Sequence, residues 1–333
     1  MKRAAGLFLA MGEKLYRAGL EMIQFGFRRG ILRKRTLPVP VVSVGNLTWG
    51  GTGKTPLVIY LAQALQEQGR SVAVLTRGYG GDEAALLMER LHPIPVLVGA
   101  DRVVSGNRAV QEYGADLLLL DDGYQQWRLK KDVEILTADS VAPFGNGHLI
   151  PRGILREPMN AAMRADLIVV KQNDAHPGRE QSVKTQMRQL NPAAPVFFMS
   201  YEPDWLWRWP GKEKVTLKSL KGQKVCTLAG IGDPKQFEAT VQELGARPAL
   251  RYHVRDHHPY TAGELIRLLT RCRRHGIRKV VTTAKDAVRI PKLFQATVGA
   301  ALKETEFLVL EIKPRFEPNE SQLLHRIRSV LAR

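Results

Sequence analysis

The segment from Val41 to Thr55, VVSVGNLTWGGTGKT, restricts the possible folds of this chain more than any other. An apolar strand leads into a glycine-rich loop, and the loop leads into a helix. Such a loop surrounds phosphate oxygens with backbone N–H groups, while its lysine reaches the β- and γ-phosphates and its hydroxyl residue ligates magnesium. The strict consensus has glycine where Thr48 stands, so the match rests on the GGTGKT core. The segment predicts a P-loop whose nucleotide-binding residues are Thr48, Trp49, Gly50, Gly51, Thr52, Gly53, Lys54 and Thr55.

A second carboxylate site follows along the chain, where the apolar strand 116–120 runs into Asp121 and Asp122. A carboxylate at this place can hold magnesium from the side opposite Thr55. An aspartate pair at a strand end can also simply cap the following loop, and we favour the metal interpretation because a P-loop precedes it. The magnesium ligands expected from the sequence are therefore Thr55, Asp121 and Asp122.

The nucleotide is expected to be ATP. Guanine recognition would require an Asn-Lys-x-Asp type of loop, and neither Lys171 nor Lys285 has those neighbours. Partitioning ATPases often carry a lysine directly before the paired glycines, where this chain has Trp49. The predicted cofactors are ATP and Mg²⁺.

Short apolar strands alternate with helices after Pro38, which indicates an α/β fold. The pattern predicts strands at 39–44, 71–76 and 116–120 with a helix at 56–68, and, beyond a Trp- and Pro-containing segment at 201–211, strands at 224–228, 249–254, 279–283 and 307–312. This succession predicts a P-loop NTPase-type parallel sheet with helices on both faces, plus a second smaller α/β lobe. The expected divisions are an amphipathic basic helix at 1–37, a nucleotide-binding domain at 38–200, a linker or hairpin at 201–222 and a C-terminal α/β domain at 223–333.

The N-terminal segment has the pattern of an amphipathic helix. Its apolar stripe consists of Leu7, Met11, Leu15, Ala18, Met22 and Phe25, and another face carries Glu13, Arg17, Glu21 and Gln24. The basic cluster that follows consists of Arg28, Arg29, Arg33, Lys34 and Arg35. An apolar stripe with a cationic flank suits a helix lying in an anionic membrane interface, and the alternative is a helix packed on its own domain. We favour the membrane interpretation.

Other features of composition exclude several classes of protein. No apolar run reaches the ~20 residues that a transmembrane helix needs, and the early charges after the first apolar residues predict a retained N-terminus instead of a cleaved signal peptide. Cys226 and Cys272 are far apart and have no metal-ligand spacing, so neither a disulfide framework nor a zinc site is expected. The net charge of +18 will attract polyanions, but it does not choose among them.

Six motifs together resemble the lipid A 4'-kinases, also called tetraacyldisaccharide 4'-kinases. They are GNLTWGGTGKTP, RGYGGDE, DDGYQ, GNGHLIPRGILREP, RDHHPYT and TTAKDAV, in the family's order across nearly the whole chain. The resemblance implies transfer of the γ-phosphate of ATP to the 4'-hydroxyl of a tetraacylated glucosamine disaccharide 1-phosphate. It further implies a peripheral protein at the cytoplasmic face of the bacterial inner membrane, whose partners are this glycolipid and the anionic membrane surface. Neither nucleic acid nor an obligate protein partner is expected.

The resemblance also implies a catalytic carboxylate at Asp82 and a catalytic histidine at His257. A sugar hydroxyl is a poor nucleophile until its proton begins to leave, so the reaction needs a positioned carboxylate that accepts the proton. We expect His257 to reach Asp82 from the second lobe when the lobes close, and to orient the carboxylate. By residue type alone, Asp82 would favour a helix N-terminus and His257 would belong to a polar turn before Pro259.

Contacts with the substrate are expected from Arg77, Gln125, Arg152 and Arg156. The two later arginines lie in the irregular loop GNGHLIPRGILREP, where their charges would meet a lipid phosphate or, equally, close a structural loop by pairing with Glu157. The chain departs from the family pattern in the short stretch between RGY and Asp82, in Ala84 and in Gln126. These departures concern the substrate contacts and not the reaction.

Two other activities are compatible with parts of the sequence. A membrane-switch ATPase would use the P-loop, the basic helix and Asp121 to cycle on and off the bilayer without a small-molecule acceptor. A nucleic-acid-dependent ATPase rests on net charge alone, since no recognised RNA- or DNA-binding module appears. The kinase is preferred because the six motifs occur together.

Overall fold

A computed structural model of the chain describes residues 2–78, 82–173, 178–211, 213–256, 258–290 and 305–331. The chain divides into two compact units. The first comprises Met1–Gly78, Leu87–Ser200 and Pro314–Arg333, and the second comprises Tyr79–Leu86 and Tyr201–Lys313. This division differs from the expected boundaries at both ends of the second lobe, because 79–86 group with it and 314–333 group with the nucleotide-binding unit.

The strands are β1 (Val41–Asn46), β2 (Val72–Thr76), β3 (Val96–Val98), β4 (Leu117–Asp121), β5 (Val133–Asp139), β6 (Leu167–Lys171), β7 (Val196–Trp209), β8 (Glu213–Val215), β9 (Lys224–Ala229), β10 (Arg247–His253), β11 (Lys279–Thr283) and β12 (Glu306–Glu317). The helices are α1 (Lys2–Arg28), α2 (Lys54–Glu67), α3 (Asp82–Leu91), α4 (Arg102–Tyr113), α5 (Glu180–Leu190), α6 (Pro234–Glu243), α7 (Ala262–Arg274), α8 (Ala284–Ala287) and α9 (Glu320–Leu331). Short 3₁₀ helices lie at Met159–Arg164 and Leu217–Leu220.

The sheet of the first unit has the order β7-β6-β5-β1-β4-β2-β3, and every pair in it is parallel. All residues of β1, β2 and β4 are buried, which is typical of a parallel sheet covered on both faces. In β1, Val44 lies opposite Asp121 of β4, so the carboxyl ends of these two strands are neighbours. The predicted P-loop follows β1, and the predicted metal carboxylates end β4. The fold class predicted from the sequence is confirmed.

The second unit has its own parallel strands in the order β10-β9-β11-β12. Alternate residues of β9 enter different cores: Cys226 packs with α7, whereas Val225 packs with α6. Within the segment expected to be a linker or hairpin, the later part of β7 pairs antiparallel with β8. Within it Trp207 is buried, and its indole N–H donates to Glu311 of β12.

Helix α1 exposes its apolar stripe and packs with a partly polar face. Leu7, Leu15 and Met22 are 76%, 70% and 71% exposed, whereas Glu13 is 7% and Leu20 is 9% exposed. Glu13 was expected on a face other than the apolar stripe, and the structure buries this residue. Within the part of the chain that the structure describes, no helix is both long and apolar enough to cross a bilayer.

Candidate functional site

The P-loop is shaped by two glycines and anchored by one threonine. Gly50 has φ 131° and Gly53 has φ 81°, values that L side chains rarely adopt. Gly53 directly precedes Lys54, the first residue of α2. The buried hydroxyl of Thr52 shares a 2.8 Å hydrogen bond with Thr137 of β5. The loop therefore presents backbone N–H groups and a helix N-terminus, the arrangement that binds phosphate.

Asp122 is held between two cations. Its carboxylate oxygens lie 3.6 Å from Nζ of Lys54 and 2.8 Å from an Nη atom of Arg156. Burial would raise the pKa of Asp122, but the charges of Lys54 and Arg156 outweigh burial and lower it. Among the described residues, Asp122 is the one non-glycine with positive φ, at 53°. Such backbone strain is concentrated at functional sites, so the outlier itself points to this loop.

Asp121 is the other carboxylate expected to bind magnesium. It is 3% exposed, and its Oδ2 accepts a 3.1 Å hydrogen bond from the hydroxyl of Thr76. Asp121 ends β4 beside β1, whereas Thr55 is the second residue of α2. Two carboxylates and a hydroxyl are hard oxygen donors, and they fit the ligand preference of Mg²⁺.

A network of buried groups fixes Arg156. The Gln125 amide donates to the carbonyl of Asn46 at 2.9 Å and to Oε1 of Glu157 at 3.0 Å, while its oxygen lies 3.4 Å from Arg156. Glu157 is fully buried and receives two hydrogen bonds from Arg164, at 2.7 and 3.0 Å. The sequence left two roles open for Arg152 and Arg156: contact with a lipid phosphate, or pairing with Glu157. Glu157 does pair with an arginine, but that arginine is Arg164. Arg156 is thereby left to contact Asp122.

The loop that carries Arg156 is paired with the P-loop. The N–H of Trp49 donates to the carbonyl of Ile154 at 2.8 Å, and the N–H of Arg156 donates to the carbonyl of Leu47 at 2.7 Å. These two bonds flank an antiparallel bridge between Thr48 and Leu155. The glycine-rich loop and Arg156 are therefore positioned by one piece of backbone.

The loop after β4 requires glycine on the neighbouring strand. A Cβ at Gly45 would lie 2.5 Å from the backbone nitrogen of Tyr124, and a Cβ at Gly123 would lie 2.4 Å from the hydroxyl of Ser43. These contacts explain why a glycine stands before Asn46 in β1 and another follows the aspartate pair. Both glycines let the DDGYQ loop lie directly against β1.

The expected substrate arginines are in different places. Arg156 lies with Lys54 and Asp122, whereas Arg152 lies 3.4 Å from Glu13 of α1. Arg77, which directly follows β2, is exposed. The structure thus brings Lys54, Asp122, Gln125 and Arg156 together, and it places Arg152 at α1.

Asp82 and His257 are the pair expected to take part in accepting the proton. His257 and the side chain of Asp82 lie outside the described residues. Their chain neighbours Asp256 and Glu83 both belong to the second unit. The segment after RGY is thus grouped with the unit that contains the RDHHPYT turn, and the proton-accepting role of the pair stays a prediction.

Sequence reasoning missed Arg164 and the roles of Glu13 and Glu157. Arg164 also lies with its guanidinium 4.5 Å from the ring centroid of Tyr124. It stands in a 3₁₀ helix outside all six motifs, so no local pattern indicated it. The one signal available in the sequence was Glu157, an acidic residue directly after Arg156.

Known proteins resemble this chain over nearly its whole length. The family model for tetraacyldisaccharide-1-P 4'-kinase (LpxK) matches residues 5–332. Tetraacyldisaccharide 4'-kinase of Syntrophus aciditrophicus is 35% identical, over 93% of this chain and 90% of the relative. The protein of the same name from Anaeromyxobacter dehalogenans (strain 2CP-C) is 38% identical, over 90% of this chain and 85% of the relative.

A solved structure is similar along the whole chain. The crystal structure of LpxK from Aquifex aeolicus in complex with ATP has 26% sequence identity and a TM-score of 0.73, and the match covers 99% of this chain and 100% of that chain.

Proposed function

This chain belongs to the tetraacyldisaccharide-1-P 4'-kinase family, and we infer that it is the ATP-dependent kinase that phosphorylates the 4'-hydroxyl of a tetraacyldisaccharide 1-phosphate, a lipid A precursor. The observation that carries this function is the cation pair at the P-loop. Lys54 and Arg156 both contact Asp122 directly beside the loop that binds phosphate. Two cations at that position favour the charge that develops on the transferred phosphoryl group.

We propose the following roles in the reaction. The P-loop backbone of Thr48–Thr55 and Lys54 hold the β- and γ-phosphates. The 4'-oxygen of the sugar forms a bond to the γ-phosphorus while the bond to the bridging β–γ oxygen breaks, and ADP leaves. Asp82 accepts the proton of the hydroxyl, and His257 orients its carboxylate. Thr55, Asp121 and Asp122 are the residues that would hold magnesium, which when bound would neutralise charge on the phosphate oxygens.

Mass spectrometry of a reaction with ATP and the disaccharide lipid tests the function. The expected product is the lipid with one added phosphate, formed with one ADP per lipid. A membrane-switch ATPase would instead release phosphate in the presence of vesicles and leave the lipid unchanged, so that result would overturn the assignment.

The proton-accepting pair has a separate test. If Asp82 and His257 act in one step, Asp82→Ala and His257→Ala should each lose about 10²–10⁴-fold in turnover, and the double variant should lose little more. The affinity for ATP should remain. A double variant that loses the product of both single effects would show that they act independently, and a loss of ATP affinity in Asp82→Ala would move this carboxylate to the metal site.

We further propose that α1 binds the membrane surface on the cytoplasmic side, where ATP is available. Its exposed stripe includes Leu7, Leu15 and Met22, and the basic cluster that follows, 28–35, is exposed as well. Apolar side chains buried in the headgroup region and cations near anionic lipid act together in such helices. The face with Glu13 and Leu20 packs within the first unit.

Substitution of the stripe tests this proposal better than truncation, because Leu20 belongs to the core of the first unit. The triple variant Leu7→Ser, Leu15→Ser, Met22→Ser should sediment much less with vesicles that contain phosphatidylglycerol at moderate salt. Met163→Ser is the matched control, since Met163 is 69% exposed outside α1. Unchanged sedimentation of the triple variant would place the membrane contact elsewhere.

A further inference from the structure

A cluster of charged side chains lies in the second unit, beyond the carboxyl ends of its parallel strands. Gly230 directly follows β9, and Asp256 lies three residues after β10. The third segment is α8, which directly follows β11 and contains Lys285 and Asp286. The carboxyl ends of parallel strands are where α/β units place functional side chains. The mechanism described above uses none of these residues.

Asp286 fixes this cluster from the inside. It is fully buried and accepts hydrogen bonds from the N–H of Gly230 at 3.0 Å, the hydroxyl of Tyr260 at 3.0 Å and the hydroxyl of Thr283 at 2.7 Å. Gly230 directly follows β9, Thr283 is the last residue of β11, and Tyr260 precedes the N-cap of α7. A buried carboxylate with several donors holds its own backbone in one position. The turn of α8 is therefore rigid.

This turn directs two cations at one carboxylate. Nζ of Lys285 lies 3.2 Å from Oδ1 of Asp256, and an Nη atom of Arg289 lies 3.6 Å from the same oxygen. Arg289 also donates to the carbonyl of Gly230 at 2.7 Å, and its side chain is 5% exposed. Lys285 makes a second contact, since its Nζ lies 3.8 Å from Oε1 of Glu83 in the first turn of α3. One ammonium group thus joins Glu83 to Asp256.

We propose that Lys285 is a positioning residue for phosphoryl transfer, which holds the first turn of α3 and the turn after β10 together and so positions Asp82 and His257. Glu83 directly follows Asp82, and Asp256 directly precedes His257. The inference rests on the proposed proton-accepting role of that pair. Without the ammonium, Glu83 would lose the cation that joins it to Asp256, and the two segments would no longer be held together by this contact. A misplacement of about 1 Å can cost ~10²-fold in rate.

The primary variant is Lys285→Met, which keeps the length of the side chain and removes its charge. We expect kcat to fall ~10–100-fold, with KM for ATP and for the lipid within about 3-fold of the wild type, since a positioning residue touches neither substrate. Lys285→Arg should recover most of kcat, because a guanidinium can still bridge two carboxylates. The matched control is Lys279→Met, since Lys279 of β11 also pairs with a carboxylate, Glu306, at 3.8 Å, and is similarly buried.

A double-variant cycle shows whether Lys285 acts through Asp82. If it does, Lys285→Met should reduce turnover little further in an Asp82→Ala background. Full multiplication of the two losses would overturn the inference and leave the role of Asp82 intact. A near-normal Asp82→Ala enzyme would instead refute the proposed proton acceptor, and the positioning role with it.

Three other results would also overturn the inference. They are a wild-type kcat in Lys285→Met, a selective rise in KM for the lipid, which would make Lys285 a substrate-binding residue, and an equal loss in Lys279→Met.

If Lys285→Met does not fold, Glu83→Gln replaces it, because the side chain of Glu83 is 36% exposed and its substitution should leave the fold intact. A smaller fall of kcat in the same direction, with KM unchanged, is then expected, and an unchanged kcat would refute the proposal.

Discussion

Glu157→Gln is a substitution for which the structure predicts a loss of both stability and activity. The carboxylate is fully buried, and it accepts four hydrogen bonds: two from Arg164, one from the Gln125 amide and one from Gln24 at 3.3 Å. Glutamine has the same shape, but its amide nitrogen would face a donor on either side. Two paired donors would then lose their acceptor in a buried site.

The expected loss of stability follows from these contacts. Breaking a buried ion pair by removing one partner typically costs about 3–5 kcal/mol. The side chain of Arg164 is 33% exposed and also lies 3.5 Å from Glu134, so its charge is not left bare. We therefore expect about 2–3 kcal/mol. For a unit of this size that corresponds to a decrease of about 4–12 °C in the melting temperature.

Activity should fall as well, because Glu157 holds Gln125 and is the chain neighbour of Arg156. At a temperature where the variant is folded, kcat should decrease ~10–100-fold. Scanning calorimetry and single-turnover transfer are the two measurements, and the control is Asp116→Asn. Asp116 pairs with Arg70 at 3.0 Å but its side chain is 49% exposed, so this change should cost at most about 1 kcal/mol. A Glu157→Gln protein that melts like the control and keeps its kcat would refute the reasoning.

Three further predictions concern single positions. Lys54→Ala should abolish transfer and leave the fold intact, because Arg156 remains as a partner of Asp122; near-normal turnover in the folded variant would contradict this. Gly45→Ala should destabilise the protein by about 1–3 kcal/mol through its clash with Tyr124, whereas Gly51→Ala, whose Cβ would have no atom within 4 Å, should have little effect in the same thermal melts. Burial would raise the pKa of Glu13, but the N–H of Leu149 and the side chains of His148 and Arg152 lower it below 4.5. The stabilisation from Glu13 is thus present above pH 4.5 and lost as the pH falls through its folded pKa, so limited proteolysis should find α1 loosened on acidification, and in Glu13→Gln loosened already at pH 7. A variant with wild-type protection at pH 7 would argue against that anchoring role.

The sequence predicted those parts of the candidate site that depend on local pattern. The P-loop needs a strand, glycines and a helix start within fifteen residues, and each of these leaves a compositional signal between Val41 and Thr55. Asp121 was predicted as a site residue because an apolar run ends there. The predicted strand at 279–283 agrees with β11, and most other boundaries differ by one to three residues, as is usual where elements fray.

The remaining features depend on contacts between distant positions. Glu157 and Arg164 form their pair only because a 3₁₀ helix returns the chain to the DDGYQ loop, and no periodic pattern encodes that return. Residues 314–331 were assigned to the C-terminal lobe by their place in the chain. In the structure Phe316 packs on Tyr60 of α2, with ring centroids 4.7 Å apart. The boundary between the units falls inside strand β12, between Lys313 and Pro314. A boundary within one continuous strand produces no change in composition that a sequence could show.

Helix α1 shows why periodicity located an element without indicating which face would pack. In water, the apolar stripe of an amphipathic helix is expected to face the core. In α1 the contacts come from Glu13, Tyr16 and Gln24: Glu13 accepts the N–H of Leu149 at 3.1 Å, Tyr16 donates to the carbonyl of Arg156 at 2.9 Å, and Gln24 donates to Glu157. These residues recur at helical spacing, so hydrogen bonds dock this face of the helix together with the buried Leu20. An apolar stripe left in contact with water costs free energy. A helix that docks through its polar face is therefore favoured in that orientation when a second apolar medium, such as lipid, covers the stripe. The docking face therefore argues for a bilayer as strongly as the exposed leucines do.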